Sequence, residues 1–320
     1  MRSIATIAIL ALCTAASLAH AANLPRQISI IVPYPPGSTS DLLPRLVGPY
    51  LSQALGVTVV VENAPGANGA IGAQRVARAP ADGSQILMAP TGVLAANQFI
   101  YPKLSYDPEK SFEPIINAAS TPNMIVVGKN VPANNLPELI KLIQDKPGAL
   151  TFASAGPGST SHLCGEMLKS AAKADIVHVP YRGPAPAKQA VLSGDVSIIC
   201  DNLSNVINDA KEGTLKAIAL TAPQRNAQAP DVPTSAEQGY PSIDAGIWYS
   251  FVAPAGTPRE IIEAFNTEIA KILKRPDVEA RLSSLALTVV ADRPEDFAAF
   301  LKTDTAHWKQ VIETAGIKLE

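Results

Sequence analysis

Short, continuous apolar runs alternate along the chain with longer stretches whose apolar positions recur every three or four residues. Residues 28–34 (ISIIVPY) form the first short run, β-branched and uncharged, which predicts a buried strand. Residues 42–55 (LLPRLVGPYLSQAL) carry the helical period despite two prolines. A proline fits the first helical turn, where its absent N–H has no partner to lose. Pro44 therefore places the helix start close to Asp41, and Gly48 with Pro49 should kink or shorten the helix. Residues 57–63 (VTVVVEN) read as a second strand, 65–79 (PGANGAIGAQRVARA) as a glycine-rich turn entering a helix, and 84–90 (SQILMAP) as a third strand. A small-residue turn, 91–97 (TGVLAAN), follows. Strand, helix, strand, helix, strand predicts a parallel sheet covered on both faces.

The alternation breaks at residues 112–129 (FEPIINAASTPNMIVVGK), two extended runs with no helix between them, which can carry the chain into a second lobe. There the pattern resumes. Helices are expected at 135–144, 159–172 and 184–194, and strands at 150–156, 176–181 and 196–202. Residues 215–222 (LKAIALTA) look like the return path, and 246–256 (GIWYSFVAPAG) like a strand after it. Two helices end the chain. Thr257, Pro258 and Glu260 read as a capping box with proline at the first helical position, and Asp292 with Glu295 repeats the device. Phe297, Phe300, Leu301 and Trp308 recur at helical spacing, as a core-facing stripe does. No short-period repeat is evident.

Composition narrows the class. Arg2, the uncharged apolar run 4–18 and the small residues of Ala19-His20-Ala21 read as a secretory signal peptide cut before Ala22. That run is too short for a spanning helix, which needs about 20 residues. A lipid anchor on Cys13 would follow Leu12, which is too large for the usual lipobox. The remaining chain suits one large or two medium domains. A formal net charge of -2 without charged runs makes nucleic acid and anionic membranes poor partners. Beyond the signal only Cys164 and Cys200 remain, which permits a bridge in an oxidising compartment and does not require one. The 28 prolines, scattered among loops in a chain that is 47% hydrophobic, suit a rigid, loop-rich exported protein rather than disorder.

Two loops stand out chemically. Residues 32–41 (VPYPPGSTSD) and 153–162 (ASAGPGSTSH) each follow an expected strand and precede an expected helix. Ligands of open α/β sheets bind beyond the carboxyl ends of the strands. Glycine admits close approach of a ligand to the backbone, and first-turn N–H groups attract anions. Ser38, Thr39, Ser40, Ser159, Thr160 and Ser161 add hydroxyl donors without fixed charge. Both loops are candidate carboxylate cradles; equally, their hydroxyls can simply cap the helices. Asp41 would repel an anion, so it is expected to organise its loop more than to touch a ligand. Arg182, after a strand in a glycine/proline turn, can pair with a ligand carboxylate or form a surface or interlobe ion pair. No G-x-S-x-G elbow, complete P-loop or dinucleotide fingerprint occurs. His162, Glu166 and His178 lack a recognised zinc spacing.

Taken with VVVENAPGANGAIGAQRVARAPADGSQILM (59–88), FIYPKLSYDPEKSFEPI (99–115), HVPYRGPAPAKQAVLSGDV (178–196) and FVAPAGTPREII (251–262), the two loops make the chain resemble the tripartite tricarboxylate transporter substrate-binding proteins, the Bug (Bordetella uptake gene) family, over nearly its whole mature length. The resemblance implies a two-lobed α/β binding protein of the periplasmic type II-like kind, each lobe a mainly parallel sheet flanked by helices, with ligand closed between lobes. The corresponding division is 1–21 signal, 22–122 first lobe, 123–222 second lobe and 223–320 return to the first. It implies periplasmic delivery of a small carboxylated compound (an organic acid, aromatic acid or amino acid) to membrane permease subunits. The protein would be a monomer with no cofactor, metal or catalytic group. By the same resemblance, Tyr34, Pro36, Gly37, Ser38, Thr39 and Asp41 would bind ligand from the first lobe, and Ser154, Ala155, Gly156, Gly158, Ser159 and Thr160 from the second. Thr91, Gly92, Arg182, Gly183 and Asp201 would face the same crevice. The chain departs from the family pattern at Ser38, often a second glycine, at Ala64, often arginine, and at Pro44, usually a small helix former. A ligand-presenting sensor for a membrane kinase would use the same closed state. A hydrolase would need a serine–histidine pair such as Ser159 with His178.

Overall fold

A computed structural model describes residues 24–315; the export signal read at 1–21 lies outside them. The chain runs β1 (Gln27–Val32), α1 (Thr39–Leu55), β2 (Thr58–Asn63), α2 (Ala70–Ala77) and β3 (Gln85–Pro90). A π-helical turn, Gly92–Ala96, leads into α3 (Asn97–Ile100) and then β4 (Phe112–Gly128). Next come α4 (Leu136–Asp145), β5 (Thr151–Ser154), α5 (Thr160–Ala172), β6 (Val177–Pro180), α6 (Pro184–Ser193), β7 (Ile198–Asn202), α7 (Leu203–Lys211) and β8 (Leu215–Thr221). β9 (Gly246–Pro254), α8 (Arg259–Leu273), α9 (Pro276–Ser284), β10 (Thr288–Val289) and α10 (Pro294–Ala315) complete the order.

β4 organises the molecule. Its first part lies antiparallel to β9, which is antiparallel to β3; β1 and β2 follow in parallel. From Asn123 onward β4 changes partners and runs between β7 and β8, with β5 and β6 parallel beyond β7. The two runs expected around residues 112–128 are thus one 17-residue strand shared by two half-sheets. Pro122 stands where the partners change. The parallel order expected for the first three strands is present as β2-β1-β3, and β9 extends it antiparallel beside β3.

Core positions follow the burial logic of the sequence. Ile28, Ile30, Ile31 and Val32 are fully buried because helices cover both faces of β1, the usual reason for a continuous apolar strand. Tyr249, Phe251 and Ala253 of β9 join the core under α1 and α8, whereas Trp248 points to the other face, with Phe297 and Trp308 of α10. A disulfide joins Cys164 in α5 to Cys200 in β7.

Several local expectations change. Helix α1 begins at Thr39 and continues through both prolines. Pro49 is on the exposed side, where water can take the carbonyl it leaves unpaired, and Gly48 packs against Val59. The segment 91–97 is helical rather than a turn. Thr257 does not cap α8: its hydroxyl donates to Pro254 O at 2.7 Å, and Pro258 takes the cap position. Asp292 instead accepts from Asn117 N at 2.8 Å, across to β4. The reciprocal capping box forms at α4, where Asn135 accepts from Glu138 N and Glu138 accepts from Asn134 N. Phe297 and Trp308 are core, while Phe300 remains 38% exposed.

Candidate functional site

The two quoted loops face each other across a cavity of about 470 Å³ between the half-sheets. In the first loop, Gly37 turns the chain at φ +83°, and its N–H donates to Asp41 Oδ2 at 2.9 Å. Asp41 is 2% exposed; it also accepts from Arg45 Nε at 2.9 Å and Asn63 Nδ2 at 2.8 Å. Although burial pushes its pKa up, the bonds from Arg45, Gly37 and Asn63 outweigh it and hold the carboxyl below the usual range. Asp41 therefore clamps the loop from within α1, not as its cap. Ser38 occupies the N-cap position with no side-chain cap bond; its hydroxyl donates to Pro35 O at 2.9 Å.

The second loop is held by neutral groups. Ser159 caps α5, accepting from His162 N at 3.3 Å and donating to Gly156 O at 2.6 Å. Ser161 Oγ accepts from Ala155 N at 2.9 Å. His162 Nδ1 accepts from Gly158 N at 3.1 Å, its ring stacking on His178 at 4.1 Å. Desolvation, with the neighbouring His178, lowers His162 to about 4. Burial lowers His178 as well. Both imidazoles are thus neutral at pH 7.

Ten of the seventeen residues nominated from sequence line the cavity: Tyr34, Gly37, Ser38, Thr39 and Gly92 on one side, Ala155, Gly158, Ser159, Thr160 and Asp201 on the other. The N–H groups of Thr39 and Ser40 in α1 and of Thr160 and Ser161 in α5 have no partner among the described residues, and all four residues line the cavity. Seven nominees lie off it. Pro36 and Arg182 are exposed, and Arg182 forms no ion pair among the described residues. Asp41 works behind its loop. Thr91 is fully buried and accepts from Trp248 N at 2.9 Å, tying the end of β3 to β9. Ser154, also fully buried, is 2.6 Å from His178 Nε2. Among the described residues His178 is bonded to Ser154 and not to Ser159, and this serine–histidine pair lies off the cavity. Gly156 and Gly183 shape the second loop, with φ +123° and +113°.

Sequence reasoning missed Asn68, Lys188, Asn202, Asn205 and Tyr249, all on the cavity wall. Asn68 adopts φ +47°, ψ +41°, a conformation asparagine tolerates better than most residues. It accepts from Tyr34 OH at 3.1 Å and donates to Asn97 Oδ1 at 2.9 Å. It also reaches Gly158 O across the cavity at 3.3 Å. Its place in a glycine-rich turn was a usable signal. Lys188 is the one cationic side chain on the wall among the described residues; its Nζ donates to Asp209 Oδ2 at 2.7 Å and Asn205 O at 2.9 Å.

Two half-sheets sharing one strand, with a cavity between them lined from both sides, have the architecture of a solute-binding receptor. Residues 43–317 match the tripartite tricarboxylate transporter family receptor. Protein BugT of Bordetella pertussis is 31% identical over 296 residues, covering 92% of this chain and 91% of BugT. Among solved structures, R. palustris Rpa4515 with adipate superposes with TM-score 0.84 and 33% identity, covering 92% of this chain and 99% of that one. MatC from Rhodopseudomonas palustris with bound malate gives 0.80 and 32%, covering 90% and 100%. The chain belongs to the tripartite tricarboxylate transporter receptor family, and it is a periplasmic solute-binding receptor.

Proposed function

We propose that this receptor, exported through a signal cleaved before Ala22, captures a small carboxylated compound between its two loops and delivers it to a membrane permease. The observation that carries the reading is the pairing of two helix N-termini, one from each half-sheet, on one 470 Å³ cavity. Each N-terminus offers first-turn amides without a backbone partner, Thr39 and Ser40 in α1 and Thr160 and Ser161 in α5, to an anion without fixing a positive charge there. Adipate and malate in the two similar structures are both carboxylates, which supports the class. The protein acts as a monomer, without catalysis or cofactor. Residues 22–122 with 223–320, and residues 123–222, move as lobes about the β4 and β8–β9 crossings. A ligand touching both loops binds the closed form better and shifts the population toward it.

A thermal-shift screen against an organic-acid panel, followed by calorimetry, tests the reading. A true ligand raises the melting temperature with concentration, by about 2.7 kcal/mol of stability at a hundred times Kd. Saturating ligand should also reduce the radius of gyration in small-angle scattering. If amines or sugars bind and no acid does, the carboxylate assignment is wrong.

A further inference from the structure

The cavity has a second polar region, at the junction of β7 and α7, whose chemistry is opposite to that of the two loops. Asp201, next to last in β7, is on the wall and is 4% exposed. Its carboxylate accepts from Asn202 N at 2.8 Å and Asn205 Nδ2 at 3.3 Å, and among the described residues no cation is within ion-pair distance of it. Lys188 shares the wall but is already held by Asp209 and Asn205 O. Beside Asp201, Asn202 Oδ1 and Ser204 Oγ are buried atoms with no hydrogen-bond partner. Both residues line the same cavity.

Unmet acceptors therefore dominate this corner. A carboxylate has room for further donors after the two it receives here, an amide oxygen accepts only, and a hydroxyl can do either. Buried polar atoms normally have partners, so a group of unpartnered ones on a cavity wall marks where ligand atoms fit. Burial, opposed by the bonds from Asn202 and Asn205 and by Lys188, pushes Asp201 up to about 6. A ligand carboxylate placed here would face an ionised one at pH 7, whereas a hydroxyl or ammonium would supply the missing donors.

We propose that Asp201, Asn202 and Ser204 form a donor subsite, so that the ligand is a hydroxy- or amino-substituted carboxylic acid. Its carboxylate lies on the first turns of α1 and α5, and its hydroxyl or ammonium donates to the Asp201 carboxylate and Asn202 Oδ1. This rests on the carboxylate reading of the two loops. Selectivity then follows from geometry. An acid lacking the donor leaves these acceptors unpaired, and sites built to meet a substrate hydroxyl or amine reject such analogues strongly.

Calorimetry on the full mature chain with matched probes tests it: succinate, malate and aspartate; benzoate and 4-hydroxybenzoate; hexanoate and 6-aminohexanoate. The sets place the donor at different distances from the carboxylate. In at least one set the donor-bearing acid should bind wild type tenfold or more tighter than its plain partner, the loss expected for a hydrogen bond to a charged group. Asp201→Asn should abolish that preference. Ser204→Ala, which removes an atom bonded to nothing in the free protein, should reduce it without lowering the melting temperature. If plain and substituted acids bind equally in every set, or Asp201→Asn tightens all acids alike, the donor subsite is wrong and the carboxylate reading stands. If no acid binds wild type, both fall.

Discussion

The two loops read almost identically in sequence, GSTSD against GSTSH, yet the fold holds them in different ways. The first hangs on one buried carboxylate, Asp41, whose hydrogen bonds favour its ionised form. The second hangs on two stacked, neutral imidazoles and three serines, and its helix is stapled to β7 by the Cys164–Cys200 disulfide. Residue type alone therefore says little about how a cradle is kept open. The last letter of each motif, acid or histidine, decides which conditions destroy it.

The largest effect should come from the staple, which only the second loop has. Its cysteines are 36 residues apart, and in the chain-entropy picture a bridge of that span contributes about 4 kcal/mol. Denaturant titration of the Cys164→Ser/Cys200→Ser protein should show a loss of that order, and hydrogen exchange should rise in α5 while α1 stays protected. Equal loss of protection in both helices would remove the distinction.

Acid comes next. His162 is neutral in the fold and lowered to about 4, against about 6.5 when unfolded. The unfolded chain binds the extra proton first, so this stabilisation is complete above about pH 6.5 and is lost as pH falls toward 4. The loss is about 3 kcal/mol, at 1.36 kcal/mol per unit. Comparing wild type with His162→Gln isolates it, because Asp201 and Asp292, each raised to about 6, titrate with the opposite sign in both proteins. By NMR the Gly158 amide should follow the His162 titration. The Gly37 amide should respond only further down, as Asp41 protonates below the ordinary carboxylate range.

Asp41→Ala should cost about 2–3 kcal/mol by leaving the Asn63 and Gly37 donors and Arg45 without their acceptor. Circular-dichroism melting measures it, and an unchanged melting temperature would show that the first loop does not depend on this clamp. Smallest is the contrast between the serines. Ser159→Ala removes a real cap, about 1 kcal/mol, whereas Ser38→Ala removes none and should change stability by only a few tenths. If the two variants lose the same stability, the loops are ordinary capped turns.

What sequence could show followed from local chemistry. The strand runs, the placing of both loops at strand–helix junctions and the cavity residues Gly37, Ser38, Thr39, Gly158, Ser159 and Thr160 were legible, because glycine, hydroxyls and apolar period act over a few positions; Tyr34, Gly92, Ala155 and Asp201 came only with the family resemblance. What it missed is set by long-range pairing. β9 returns 246 residues into the chain to lie antiparallel beside β3, and that insertion brings Tyr249 to the cavity and ties Thr91 away from it. Lys188 is in a helix whose facing side depends on how it packs, so its place on the cavity wall was not legible, whereas Arg182, nominated from its turn, lies off that wall. The cap at Thr257 failed for a similar reason: a competing acceptor, Pro254 O, lies one turn back.

The central claim is that both loops grip one carboxylate from opposite half-sheets. A crystal structure with the acid that stabilises the protein most tests it directly. The carboxylate oxygens should be about 2.7–3.1 Å from first-turn amides or hydroxyls of both α1 and α5, in the range of charge-assisted bonds. A carboxylate held by one loop alone, or lying outside the cavity, would contradict it.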